Sequence, residues 1–154
     1  MTRAGDGPSV RTWRPLFAMV VAVTVGTALL AASVWMWFGL PDEYRAGFSR
    51  IQVVTLALIL LAILTALGAI ARTRAVAAPD GLTVVNAFRI HRLAWADVLM
   101  VRLRSGDPWV QLDLADGTTL GVLAIQSADG ARARRAAEEL AAIVAERTRT
   151  TRND

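Results

Sequence analysis

Few residues in this sequence carry side chains equipped for chemistry. There is no cysteine, which removes disulfides, thiolate nucleophiles, Cys-bound zinc and iron–sulfur clusters. The single histidine, His91, has no partner at metal-ligand spacing and reads as an exposed strand residue. Asp97 stands two positions after Trp95. That spacing suits a turn or helix-start cap beside a buried indole better than an acid in a cleft. A nucleophile–base pair and a phosphate-cradling glycine loop are both missing. The sequence therefore predicts a non-enzymatic protein with no cofactor and no metal.

Charge is the remaining candidate. The chain has 17 basic residues, all arginine, against 13 acidic ones, a net charge of +4. Arg89 with Arg92, and Arg102 with Arg104, suggest a basic face, because alternation along a strand would put Arg102 and Arg104 on one side. With Arg72 and Arg74 they form a candidate contact for anionic lipid headgroups or for a protein partner. Asp107, Asp113 and Asp116 on neighbouring segments support the plainer reading of a mixed, solvated face. From Arg72 onward 12 arginines meet 10 acidic residues without aromatic interleaving, so nucleic acid is not expected as a partner.

The elements that position these residues fall into two kinds. Leu16 to Phe38 and Ile51 to Ala71 are uncharged apolar runs, each long enough to cross a hydrocarbon core of about 30 Å. A cleaved signal peptide fits the first run poorly, since Trp35, Met36, Trp37 and Phe38 carry it past any cut after the small residues at 31–33. Arg3, Arg11 and Arg14 precede the first run, and Arg72 and Arg74 follow the second. The connecting loop offsets Arg45 and Arg50 with Asp42 and Glu43. This bias places both termini in the cytoplasm, and Trp13, Trp35, Trp37 and Tyr44 suit interfacial aromatic belts. Neither run holds an ionisable group, so a transporter-like relay is not expected. Ala22 with Gly26, and Ala62 with Ala66, form small-xxx-small pairs that would allow close packing of the two spans.

After Arg74 the hydrophobic period changes to two. Val101 and Leu103, then Val110, Leu112 and Leu114, then Leu120 and Val122 alternate with other residues, as in half-buried strands. Pro79-Asp80-Gly81, Ser105-Gly106-Asp107-Pro108 and Ala115-Asp116-Gly117 supply turns. The spacing predicts strands over 75–78, 82–87, 89–94, 98–104, 109–114 and 118–124. Trp95, Val98, Leu112, Leu114 and Leu140 are the expected core. Ser127 or Asp129 would cap a helix to about Thr148, whose apolar face includes Ala133, Ala137, Leu140 and Val144.

The domains follow from this: a tail over 1–15, a transmembrane hairpin over 16–71 with spans 16–38 and 51–71, a β domain with its helix over 72–148, and a frayed end at 149–154. The fold class is an α+β membrane protein.

The stretches Asp80-Gly81-Leu82-Thr83-Val84, Leu93-Ala94-Trp95-Ala96-Asp97-Val98 and Leu112-Asp113-Leu114-Ala115-Asp116-Gly117 resemble the bacterial PH-like domain family. More narrowly, they resemble the low-molecular-weight protein antigen 6 group of high-GC Gram-positive bacteria. The resemblance covers roughly residues 72–130 plus the two-span layout. It implies a bent antiparallel barrel of seven strands capped by a C-terminal helix. Only six strands are evident here, and the first of them, Ala75 to Ala78, is weak. PH-like domains bind lipids, peptides and proteins, so the fold alone does not choose a ligand. The expected function is a membrane-tethered binding or scaffold module that docks a membrane or cytoplasmic protein. The alternative is a peripheral sensor of anionic lipid. Besides that protein, the expected partner is the bilayer itself.

Overall fold

The structure is a computed structural model that describes residues 10–151. It divides into two compact units, one of which joins the segment up to Phe17 to everything from Arg72 onward, while the other is Ala18–Ala71.

The helical unit is built from α1 (Leu16–Gly39) and α3 (Arg50–Ala71), with a short α2 (Asp42–Ala46) between them. At 1.5 Å per residue the 24 and 22 residues of α1 and α3 run about 36 and 33 Å, enough to span a membrane. Their apolar side chains are largely exposed, including Val20, Val23, Leu56 and Leu58, which a helix in a soluble core would bury. Small residues let the helices approach. Ala22 and Ala69 are buried, and a β-carbon on Gly26 would lie 3.5 Å from Leu67 and 3.7 Å from Leu64. The expectation for the second small pair is corrected: Ala62 and Ala66 are exposed, and α3 turns Leu64 and Leu67 toward α1 instead. The Ser33 and Thr65 hydroxyls donate to Leu29 and Leu61 one turn back, each at 2.8 Å. Both polar groups are thereby satisfied within their own helix. In the connection Arg45 pairs with Asp42, and Trp37 meets Phe48 edge-on at 5.9 Å.

Among the described residues the β unit contains seven strands. They are β1 (Arg11–Trp13), β2 (Arg74–Ala78), β3 (Gly81–Asn86), β4 (Arg89–Leu93), β5 (Val98–Arg102), β6 (Trp109–Leu114) and β7 (Thr119–Gln126). Two antiparallel sheets result, ordered β1-β2-β3-β4 and β5-β6-β7. The strand that seemed missing lies upstream of α1, inside the stretch read from the sequence as a tail. It pairs Arg11 with Ala77 and Trp13 with Ala75. The helical hairpin is thus inserted into the connection between two neighbouring strands. Ala75 and Ala77 look weak as strand residues, yet they are buried in the same core cluster as the Trp13 indole. Small side chains there leave room for the large one across the ladder.

One core lies between the sheets and α4 (Ala131–Thr151). Leu82, Val98, Leu112, Val122 and Leu140 are fully enclosed, and Trp95 is 7% exposed. Leu114 is only partly buried, at the end of β6. The helix buries Ala133, Ala137, Leu140 and Val144, a spacing of three to four residues that keeps one face on the sheets. It continues through the stretch expected to fray as far as Thr151, and the residues beyond lie outside the described ones. Between the sheets Asn86 acts as a staple. Its carboxamide donates to Gly121 O (2.6 Å) and accepts from Leu123 N (3.1 Å), replacing ladder bonds that β3 and β7 do not make. The sheets do not close into a full barrel.

Two turns show why their residues were chosen. At Gly117 φ is +82°. Beside it the Asp116 carboxyl accepts from the Thr118 hydroxyl and backbone N–H, and those bonds hold its pKa below the ordinary value. At Gly81 a β-carbon would sit 2.4 Å from the Leu93 carbonyl oxygen. Backbone cannot swing aside as a side chain does, so Gly81→Ala should cost about 1–3 kcal/mol. Urea titration of the full chain in detergent would read this as a lower midpoint, and an unchanged midpoint would contradict the packing.

Candidate functional site

The structure separates the six arginines expected to form one basic face. Arg72, Arg74 and Arg89 are exposed at one end of the first sheet. Arg74 stands opposite Val85, and Arg89 opposite the next residue, Asn86. Two strand spacings put Arg74 and Arg89 about 10 Å apart. Arg92 is further along β4, opposite Thr83. Arg102 is half-buried and forms an ion pair with Asp113, so its charge is largely neutralised. Arg104 does not share a strand face with it, because β5 ends at Arg102. Beyond that end the Arg104 backbone N–H donates to Asp107 Oδ2 at 2.8 Å.

The Trp95–Asp97 pair is structural. The Trp95 indole N–H donates to the carbonyls of Ala78 (3.0 Å) and Pro79 (3.2 Å), and Asp97 Oδ2 accepts from Ala94 N at 3.0 Å. Together they fix the 3₁₀ turn over Trp95–Asp97 that joins the two sheets. His91 is half-buried on β4 opposite Val84. The expected caps of α4 are otherwise engaged. Ser127 Oγ donates to Pro108 O. The Asp129 carboxylate accepts from Leu16 N (3.1 Å) and Phe17 N (2.8 Å). Asp129 therefore caps the start of α1, where free N–H groups attract an anion.

Two apolar features were not foreseen. The first is on β5, whose outer edge makes no ladder among the described residues. The register of β5 against β6 shifts between Val98 and Met100. A bulge at that point re-aims side chains, and Leu99 and Met100 are exposed in succession, at 61% and 55%. They border a groove of about 320 Å³ completed by Ala141, Val144, Ala145 and Thr148 of α4. A signal was present in the sequence. Val98-Leu99-Met100-Val101 is an unbroken apolar run, more than a half-buried strand can enclose.

The second feature is the tip of the β3–β4 hairpin. Ala87 holds a positive φ of 52°, unusual for a residue other than glycine. Phe88 beside it is 73% exposed, and Ile90 is 62% exposed. The backbone N–H of Ala87 reaches Thr73 Oγ1 at 3.4 Å.

A four-stranded and a three-stranded antiparallel sheet, joined by a 3₁₀ turn and closed on one side by a C-terminal helix, define a PH-like domain. Comparison agrees: residues 72–142 match the bacterial PH domain family model. The match supports the PH-like family and not the narrower antigen 6 grouping. The chain is also 29% identical over 133 residues to the uncharacterised proteins Rv1417 of Mycobacterium tuberculosis and Mb1452 of Mycobacterium bovis. That match covers 86% of this chain and 84% of each relative. No solved structure matches the chain significantly. PH-like domains are in general binding modules rather than catalysts.

Proposed function

We propose that this chain is a non-enzymatic, membrane-tethered binding module whose PH-like domain docks a protein partner or membrane complex at the bulged β5 edge. In this reading α1 and α3 cross the bacterial cell membrane, and the segments before α1 and after α3 both face the cytoplasm. The β1–β2 ladder supports the shared side, because it joins residues before the first helix to residues after the second. Two crossings permit that pairing and a single crossing would not. Arg11, Arg14, Arg72 and Arg74 flank the helices there, whereas the connection has Arg50 and an Arg45 paired with Asp42.

The observation that carries the docking site is the succession of exposed Leu99 and Met100, beside a groove, on an edge that makes no ladder among the described residues. Exposed strand edges and contiguous apolar surface are what a partner chain covers. General lipid sensing by all six arginines is less well supported, since Arg102 is bound to Asp113.

The test is the double change Leu99→Ser and Met100→Ser, made in the full chain purified from its native membrane in mild detergent. An apolar hot spot at an interface costs more than about 1 kcal/mol when removed, so a co-purifying partner should weaken at least about fivefold. Both side chains are exposed, so the melting temperature should hold. Undiminished recovery of a stoichiometric partner would refute the β5 site.

A further inference from the structure

We infer that the β3–β4 hairpin tip is a bilayer-seating element, in which Phe88 enters the lipid interface while Arg72, Arg74 and Arg89 meet anionic headgroups. The inference rests on α3 being a membrane span, and on nothing in the protein-docking reading.

The argument begins with chain length. Ala71 is the last residue of α3, and Thr73 follows two residues later. Two residues reach at most about 7 Å. From Thr73 a 3.4 Å contact leads to the backbone of Ala87. The chain therefore holds the tip within about 13 Å of the end of the span, allowing for the threonine side chain. The interfacial zone outside the hydrocarbon core is itself about 5–7 Å deep on each side. A phenylalanine at the tip can cross what remains.

Composition at the tip fits that neighbour. Phe88 is the most exposed large apolar residue of the β strands and their turns, at 73%. Water is a poor reason to display it, and the backbone is held in an unfavourable conformation at Ala87 to do so (φ 52°). At the same end of the sheet are Arg72, Arg74 and Arg89, all exposed and with no ion pair to an acidic side chain among the described residues. An exposed aromatic side chain with arginines at the same end of a sheet is the chemistry of an interfacial anchor. No pocket for a single headgroup is needed. Seating the tip would limit how the domain turns about its tether.

The absence of cysteine makes a site-specific test clean. A nitroxide is placed at Ile90→Cys, two residues from Phe88, in the full chain reconstituted into phosphatidylcholine–phosphatidylglycerol vesicles. Collisions with lipid-soluble oxygen and with a water-soluble nickel chelate are then compared. Labels at Leu58→Cys in α3 and Ala115→Cys in the β6–β7 turn serve as lipid and water references. The expected result is oxygen-favoured collision at position 90, shifting to nickel-favoured when Phe88→Ser is added. Loss of the oxygen preference in pure phosphatidylcholine would assign the rest of the seating to the arginines. Nickel-favoured collision at 90 while the Leu58 site is in lipid would overturn the inference alone. Protection at 90 from both reagents would also overturn it, since a second protein surface would then cover the tip. A water-exposed Leu58 site would refute the span itself, and this inference with it.

Discussion

Replacing Trp95 by alanine should unfold the PH-like domain. The indole is 7% exposed and packs in the same cluster as Leu82, Val98 and Leu140. Its N–H also ties the β2–β3 turn to the crossing between the sheets, through Ala78 O and Pro79 O. Removing a large aromatic side chain from a core costs about 3–5 kcal/mol. Small domains have little more than about 5 kcal/mol in total. Trp109→Ala is the internal comparison. Trp109 is half-buried and lies over Gly121, at the strand end where the β6–β7 register slips. Its loss should be the smaller of the two. Limited proteolysis of the detergent-solubilised chain measures both. The Trp95 variant should be digested through the β region under conditions that leave the Trp109 variant intact. Equal resistance would mean that the core is centred elsewhere.

Much of this fold was legible because it rests on local pattern. Val110, Leu112 and Val122 alternate, and their partners appear where alternation predicts. What could not be read is what depends on distant pairing. β1 is three residues long, Arg-Thr-Trp, and its partner strand begins some sixty residues later, beyond both helices. No period can be seen in three residues, and Trp13 fitted the aromatic belt of a membrane interface equally well. The same limit applied to the arginines. Their positions in sequence were plain, but the Arg102–Asp113 pair is set by the β5–β6 register, and a bulge alters that register. Asp129 fitted a local cap, whereas its actual partners, Leu16 and Phe17, lie more than a hundred residues upstream. Leu99 and Met100 were visible as surplus apolar residues. Which surface they would face was fixed only by the bulge.

The insertion of the helical hairpin between β1 and β2 leads to the other large effect. A fragment beginning at Arg72 should be unable to hold the fold, although it contains the whole stretch that matches the PH family. It lacks the Trp13 side chain, which is buried at 9% exposure and donates to Glu139 Oε2 of α4 at 3.3 Å. It also exposes the β2 edge that carries the buried Ala75 and Ala77. Loss of the tryptophan alone is worth about 3–5 kcal/mol, and an uncovered apolar edge invites aggregation. The remedy follows from the ladder. Trp13 stands opposite Ala75, so a hairpin loop of about four residues can join Arg14 to Thr73 in place of the whole helical unit. We expect residues 10–14 fused in this way to 73–151 to give a soluble, cooperatively unfolding domain, and 72–151 alone to aggregate or remain unfolded. Restoring β1 with Trp13→Ala should recover little. Circular dichroism and urea titration of the three proteins decide the matter. Equal stability of the fragment and the fusion would show that β1 is an accessory rather than the domain's first strand.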